Sequence, residues 1–235
     1  MKKRVLEIGC GQGFNCFVFS KNKNNKVIGI DLSKNDIKIS KERYPNIEFS
    51  VMNAQDLKFK NNTFDTVYAL DVLEHVDNLN KTLDEVHRCI KRKGKFIINV
   101  PHYNSEKWLL KVRPTYFKEI HHVRIFKENE LEDLLEKRQF KLVKKQRKGF
   151  LQHIELYILF KRKINSKTQV SIGSWRDNYF TKLIHAMILF TDPIVLKTPL
   201  VYFPVWIFTI PFGIVVNSIG SKFFPKSQYY EFKNT

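Results

Sequence analysis

The sequence predicts an α/β protein built on a doubly wound, mostly parallel sheet, with an apolar helical extension at its C-terminal end. Three observations lead there. Short apolar runs alternate with segments of helical period along much of the 235 residues. Glycines cluster where the first apolar run ends, in KRVLEIGCGQGF. Polar acceptors recur at successive strand ends, as Glu7, Asp31, Asn53 and Asp71.

The first strand ends at Glu7 and runs into Gly9, Gly11 and Gly13, followed by apolar, helix-forming sequence (FNCFVFSK). Glycine lacks a Cβ and tolerates positive φ, so such a junction lets the backbone approach a nucleotide closely. KVIGIDLS supplies the next strand and places Asp31 18 residues beyond Gly13, where a carboxylate can accept from both ribose hydroxyls. Further apolar runs at 47–51, 64–70 and 95–100 alternate with the helical segments SKNDIKISKERY and NKTLDEVHRCIKRK. Beyond them VRIF reads as a short strand, a helix is expected from Lys127 or Glu128, and FKLVKKQRK with HIELYILFKRK reads as a strand pair. In open α/β sheets the ligand binds at the carboxyl ends of the strands.

Composition narrows the function. With 41 Lys and Arg against 23 Asp and Glu, the net charge of +18 calls for a partner that is anionic over a wide surface, either nucleic acid or acidic membrane headgroups. The three cysteines show no CxxC spacing and are expected to be reduced, hence on a cytosolic face. The apolar stretch after the basic opening is short and contains Glu7, so no signal peptide and no export are expected. A Walker turn, zinc-ligand spacing and the Asn-Pro-Pro-Tyr run of amino-group DNA methylation are all missing from the sequence.

In order along the chain, VLEIGCGQG, GIDLS, NAQDLKFKNNTFDTVYALDVLEHV and LDEVHRCIKRKGKFIINVP resemble the signatures of the class I S-adenosylmethionine-dependent methyltransferases, over about residues 3–160. The subgroup acting on small molecules, quinones and lipids is the nearest match. GCGQG preceded by Glu7, rather than GxGxxG, favours S-adenosylmethionine over NAD. The resemblance implies a Rossmann-like, seven-stranded sheet and S-adenosyl-L-methionine as cofactor. It places Glu7, Gly9, Gly11 and Gly13 beside the methionine moiety, Asp31 on the ribose, Leu32 against the adenine, and Asn53 with Ala54 at the adenine edge, and it counts Asp71 with this set. Asn53 replaces the family's aspartate, RKGK at 92–95 replaces Pro-Gly-Gly and is expected to alter a turn, and the helices that precede the family's first strand are not in this sequence, so another segment is expected to close the pocket.

Methyl transfer is a direct displacement, so a base is needed only when the acceptor must lose a proton. Asp71, Glu74 and His75 stand at i, i+3 and i+4 of an expected helix. There Asp71 and Glu74 read as a capping box, in preference to a divalent-ion site, and no metal is expected. His75 is one candidate catalytic residue. The other is His122 rather than His121, because the resembling pattern has its histidine directly before the Val-Arg pair; the alternative is a histidine bonded to backbone.

The domain of this class is expected to span residues 1–163, with a polar linker opening an extension over 164–235. Residues 198–221 carry no charge between Lys197 and Lys222 but contain Pro199, Pro204 and Pro211, which argues against a straight membrane span. Aromatic residues and flanking cations favour a pair of short helices dipping into an anionic leaflet; a transmembrane hairpin and a soluble cap over the pocket are the alternatives. The function expected is methyl transfer to a small lipophilic acceptor, a quinone precursor or lipid, by a cytoplasmic, membrane-associated enzyme. An RNA or protein acceptor is the second choice, and a non-catalytic membrane adaptor the third. The oligomeric state is left open.

Overall fold

The computed structural model describes residues 2–112, 114–148, 222 and 225–235. Its core is a seven-stranded sheet in the order β3-β2-β1-β4-β5-β7-β6. The first five strands are β1 (Lys3–Ile8), β2 (Asn25–Asp31), β3 (Glu48–Val51), β4 (Phe64–Leu70) and β5 (Ile90–Pro101), and they pair in parallel. Their interiors are apolar without alternation, because parallel strands covered on both faces bury both sets of side chains. Leu6, Ile8, Ile28, Ile30, Val67, Phe96 and Ile98 are each at most 2% exposed.

Three helices cross between these strands: α1 (Phe14–Ser20), α2 (Lys34–Arg43) and α3 (Leu79–Cys89). Ser33 starts α2, its side chain accepting from the Asp36 N–H at 3.1 Å. Asn78 does the same for α3, accepting from Lys81 N–H at 3.0 Å, and Leu79, Thr82, Leu83, Val86 and Cys89 form the buried stripe of that helix. The free cysteines Cys10, Cys16 and Cys89 are all buried.

The chain continues through α4 (Tyr103–Val112), α5 (Tyr116–Glu119), α6 (Glu130–Glu136) and β6 (Phe140–Lys148), and β7 is Ser227–Asn234. The Lys226 N–H donates to the Lys148 carbonyl and the Thr235 N–H to the Gln139 carbonyl, so β6 and β7 run antiparallel and the sheet is mixed. By compactness the chain forms two units. One comprises Met1–Tyr103, Phe117–Gln146 and Gln228–Thr235; the other comprises Asn104–Tyr116 and Arg147–Ser227. Among the described residues no helix is long and apolar enough to cross a membrane. The expected membrane segment 198–221 lies outside the described residues, as does the expected strand at 153–163.

Several sequence expectations are corrected. Residues 227–234, assigned to the separate extension, form a strand of the sheet, inserted between β5 and β6, with Tyr230 and Phe232 in the same core cluster as Leu6 and Phe96. Their alternation of buried and half-buried positions suits an antiparallel strand packed on its apolar side. RKGK is not a turn: it lies inside β5, where Lys93 takes a φ of 64° beside a register shift against β4. VRIF joins no ladder, and the following helix starts at Glu130 rather than at Lys127 or Glu128.

Replacing Tyr230 with alanine is expected to cost about 3–5 kcal/mol of unfolding free energy in urea denaturation, as large-to-small changes in a core do; a residue in a detached extension would cost close to nothing.

Candidate active site

At the carboxyl edge of the sheet, β1 delivers Glu7, which is 1% exposed. Its Oε1 accepts from Asn15 Nδ2 at 2.8 Å and its Oε2 from Cys16 Sγ at 2.9 Å, which pins the first turns of α1 to the end of β1. Burial pushes the Glu7 carboxyl up to about 7, with the bonds from Cys16 and Asn15 opposing it. The neighbouring Cys10 and burial hold the Cys16 thiol far above its ordinary value, so it serves Glu7 as a donor.

Between them runs the glycine turn. Gly9 has a φ of +66°, and a Cβ there would stand 2.3 Å from Val72 Cγ2. Gly11, at +49°, faces open space, and its N–H donates to Asp31 Oδ2 at 2.8 Å, while the other oxygen of Asp31 accepts from the Ser33 N–H at 2.9 Å. Asp31 thus locks the turn to the end of β2. Phe14 at the start of α1, Leu32 after β2 and Val51 at the end of β3 are 51%, 67% and 45% exposed along this edge. A backbone turn open on one face, a fixed carboxylate and exposed apolar side chains fit a ligand that combines an amino acid, a ribose and a base. Asn53 is exposed, with Oδ1 accepting from the Gln55 N–H at 2.9 Å, and Ala54 is buried; the asparagine therefore caps its own turn.

The second part of the site follows β4. No helix forms over residues 71–75, which corrects the expected capping box and the helical i, i+3, i+4 face. The Asp71 N–H donates to the Asn99 carbonyl at 2.9 Å, its Oδ1 accepts from Asn99 Nδ2 at 2.7 Å, and its φ of 54° turns the chain away from a helical path. Leu73 and Glu74 are consecutive and both buried, and α3 waits for Asn78.

Residues 121–124 dock on this turn. The Val123 N–H donates to the Glu74 carbonyl at 3.0 Å, and Arg124 Nη2 donates to the carbonyls of Val76 and Asp77. His75 Nδ1 lies 3.1 Å from the His121 carbonyl, which can only accept, so Nδ1 carries the proton of the neutral ring and Nε2 the lone pair. His121 has a φ of 57°, an uncommon conformation that aims this carbonyl. Partial desolvation holds His75 below its ordinary value, against the raising effect of that backbone bond. The rings of His75 and His122 meet edge to face with centroids 4.7 Å apart. The structure thus brings together the two histidines read from the sequence, and adds Glu74 to them in place of Asp71. The hollow lined by Glu132, Phe140 and Phe232 is separate from all of these groups.

The strand order, the glycine turn after β1 and the carboxylate after β2 define a class I S-adenosylmethionine-dependent methyltransferase fold. Residues 1–145 match the family described as methyltransferase domain, and the chain belongs to that family. A sterol 4-C-methyltransferase of Caenorhabditis elegans is 31% identical over 99 residues, which are 40% of this chain and 29% of that protein. Phosphoethanolamine N-methyltransferase 3 of Arabidopsis thaliana is 31% identical over 100 residues, 41% and 20% of the two chains. Among solved structures, phosphoethanolamine N-methyltransferase 2 of Haemonchus contortus, in complex with S-adenosyl-L-methionine, shares the fold with a TM-score of 0.60 at 17% identity, covering 100% of this chain and 49% of that one. The chain spans less than half the length of the curated relatives it matches first.

Two outcomes are expected. The folded carboxyl of Glu7 titrates near 7 and the unfolded one at 4.5, so its contribution to stability is intact below pH 4.5 and falls as pH rises to 7, by about 1.4 kcal/mol per unit and about 3 kcal/mol in all; urea unfolding of wild type minus Glu7→Gln across this range reads the slope directly. Asp31→Ala should weaken S-adenosylmethionine binding in calorimetry by about 1.5–3 kcal/mol, since the charged acceptor and the brace on the turn disappear together.

Proposed function

We propose that the chain methylates a small lipophilic acceptor bound beside Glu74, His75 and His122, at the cytoplasmic face of a membrane. One observation carries the reading: Gly9 of the cofactor turn packs on Val72, at the head of the segment that holds Glu74 and His75. The glycine turn therefore abuts the start of the segment that carries Glu74 and His75.

When bound, S-adenosylmethionine supplies an activated methyl group on a sulfonium. The chain contributes position and exclusion of water. The Gly11 and Asp31 pair fixes the ribose end, Leu32 and Phe14 cover apolar surface, and the clamped 121–124 segment holds His75 with its unprotonated nitrogen turned away from the His121 carbonyl. Val123, 54% exposed next to His122, offers apolar contact beside these polar groups. The acceptor class draws support from relatives named for sterol and phosphoethanolamine methylation. The membrane face draws support from the uncharged stretch 198–221 and its flanking lysines.

The charge of +18 favours a second reading, in which RNA is the acceptor and cations track its phosphates. Tritiated methyl from S-adenosylmethionine, supplied with the full chain to a homogenate of the source cell, separates the two: label extracting into organic solvent is the expected result, and label that stays with RNA or protein would replace the lipophilic acceptor with a macromolecule.

A further inference from the structure

We propose that the edge of the sheet opposite the cofactor turn is a docking surface for the phosphate backbone of a nucleic-acid strand. The amino ends of the parallel strands meet there, and hydrogen bonds join the segments that carry them. The Lys3 N–H donates to the Asn24 carbonyl at 2.7 Å, the Arg4 N–H to Asp65 Oδ2 at 2.8 Å, and Asn234 Nδ2 to the Lys91 carbonyl at 3.3 Å. The Asn62 N–H adds the loop before β4, donating to the Arg88 carbonyl at 3.0 Å.

Lys3, Lys21, Lys23, Lys26, Arg92 and Lys93 are all exposed along this edge. None of them forms an ion pair among the described residues; Lys21 lies over the Phe17 ring instead. The nearby carboxylates are already engaged, Asp65 by Lys91 Nζ at 2.9 Å and Glu231 by Lys95 Nζ at 2.7 Å. Lys91 and Lys95 therefore take the local acids and leave Arg92 and Lys93, between them, uncompensated. The backbone of β5 is shaped around that pair. Lys93 has its φ of 64° at the register shift against β4, and a Cβ on Gly94 would stand 2.8 Å from the Lys91 carbonyl oxygen, so the bulge closes only with glycine there.

Unpaired cations along a continuous edge call for an extended anion. Its chemistry follows from what else the edge carries. The exposed large apolar residues, Phe14, Leu32, Val51, Val123, Leu142 and Val143, all lie on other segments, so nothing here would enter a lipid interface. From β2 through β1, β4 and β5 to β7 the edge spans about 19 Å at about 4.8 Å per strand, the length of about five phosphates of one nucleic-acid strand. Asn22 and Asn61, exposed in the same loops, commit Oδ1 to the Asn24 N–H and to Arg88, which leaves their amide N–H groups to donate to phosphate oxygens. No exposed ring on these segments offers a base a stacking partner, so the contact is to the backbone and indifferent to sequence. β1, six residues long, sets this edge about 20 Å from the glycine turn. A strand held here is a docking partner rather than the methyl acceptor, and the surface is independent of the acceptor reading.

Fluorescence anisotropy of a labelled uridine oligonucleotide with the full chain, at about 0.05 to 0.3 M salt, reads the contact. The wild type should bind with log K falling on log salt at a slope of about −3.5, and an oligonucleotide of mixed sequence should bind within about 2-fold of it. Reversing charge at either end of the row, in Lys21→Glu with Lys23→Glu or in Arg92→Glu with Lys93→Glu, should weaken binding at least about 10-fold and flatten the slope by about 1.4. Lys34→Glu with Lys38→Glu, exposed on α2, makes the same change in net charge and should cost less than about 3-fold. Circular dichroism and S-adenosylmethionine calorimetry check that each variant is folded; where a glutamate pair fails, the glutamine pair takes its place. No binding by the wild type at low salt, or equal losses in all three double variants, overturns the surface. Capture by phosphatidylserine vesicles that the two edge variants lose, with oligonucleotide binding intact, overturns it in favour of a membrane.

Discussion

The contact between Gly9 and Val72 constrains everything built on the carboxyl edge. A single added carbon at Gly9 would meet Val72 at 2.3 Å, so the end of β1 and the turn after β4 can only be this close while residue 9 has no side chain. Parallel pairing of β1 with β4 sets the approach, since Ile8 and Ala69 are partners in the ladder and the chains leave it side by side. One of those exits becomes the glycine turn. The other becomes the segment of Glu74 and His75. The proximity of a cofactor turn to a candidate acceptor centre is thus a consequence of strand adjacency, and the side chains refine it.

Around that contact the polar groups brace one another. Asp31 spends its carboxylate oxygens on the N–H groups of Gly11 and Ser33, and Glu7 spends its own on Asn15 and Cys16. Both residues were read as ligands of the cofactor, and both hold the turn in shape. The roles are compatible for Asp31, because a carboxylate has more lone pairs than these two bonds use. Buried Glu7, by contrast, serves the junction of β1 with α1.

Much of the fold was legible because it is written locally. Unbroken apolar strands, a glycine cluster, Ser33 before α2 and a strong buried stripe on α3 each depend on a few adjacent residues. What escaped depended on distance. β7 is recruited by β5 and β6 from far along the chain, and nothing within Ser227–Asn234 names its neighbours. The turn at 71–77 was misread as a helix because LDVLEHV has helical spacing, while the interaction that decides the matter is the pairing of Asp71 with Asn99 across two strands. His75 and His122 were identified singly from their motifs. Their meeting, and the entry of Glu74 in place of Asp71, follows from a loop that docks through the Val123 N–H and the Arg124 guanidinium onto backbone carbonyls, acceptors that carry no sequence signal.

The placement of β7 between β5 and β6 also has a consequence for the ribosome. About eighty residues separate the end of β6 from the start of β7, and at about 5–20 residues per second their synthesis takes about 4–16 seconds. For that interval the nascent sheet holds β5 with one long, apolar edge unpaired, a template for pairing with other chains. β6, the edge strand of the finished sheet, carries exposed Lys141, Lys144 and Lys148, charges that blunt pairing with other chains.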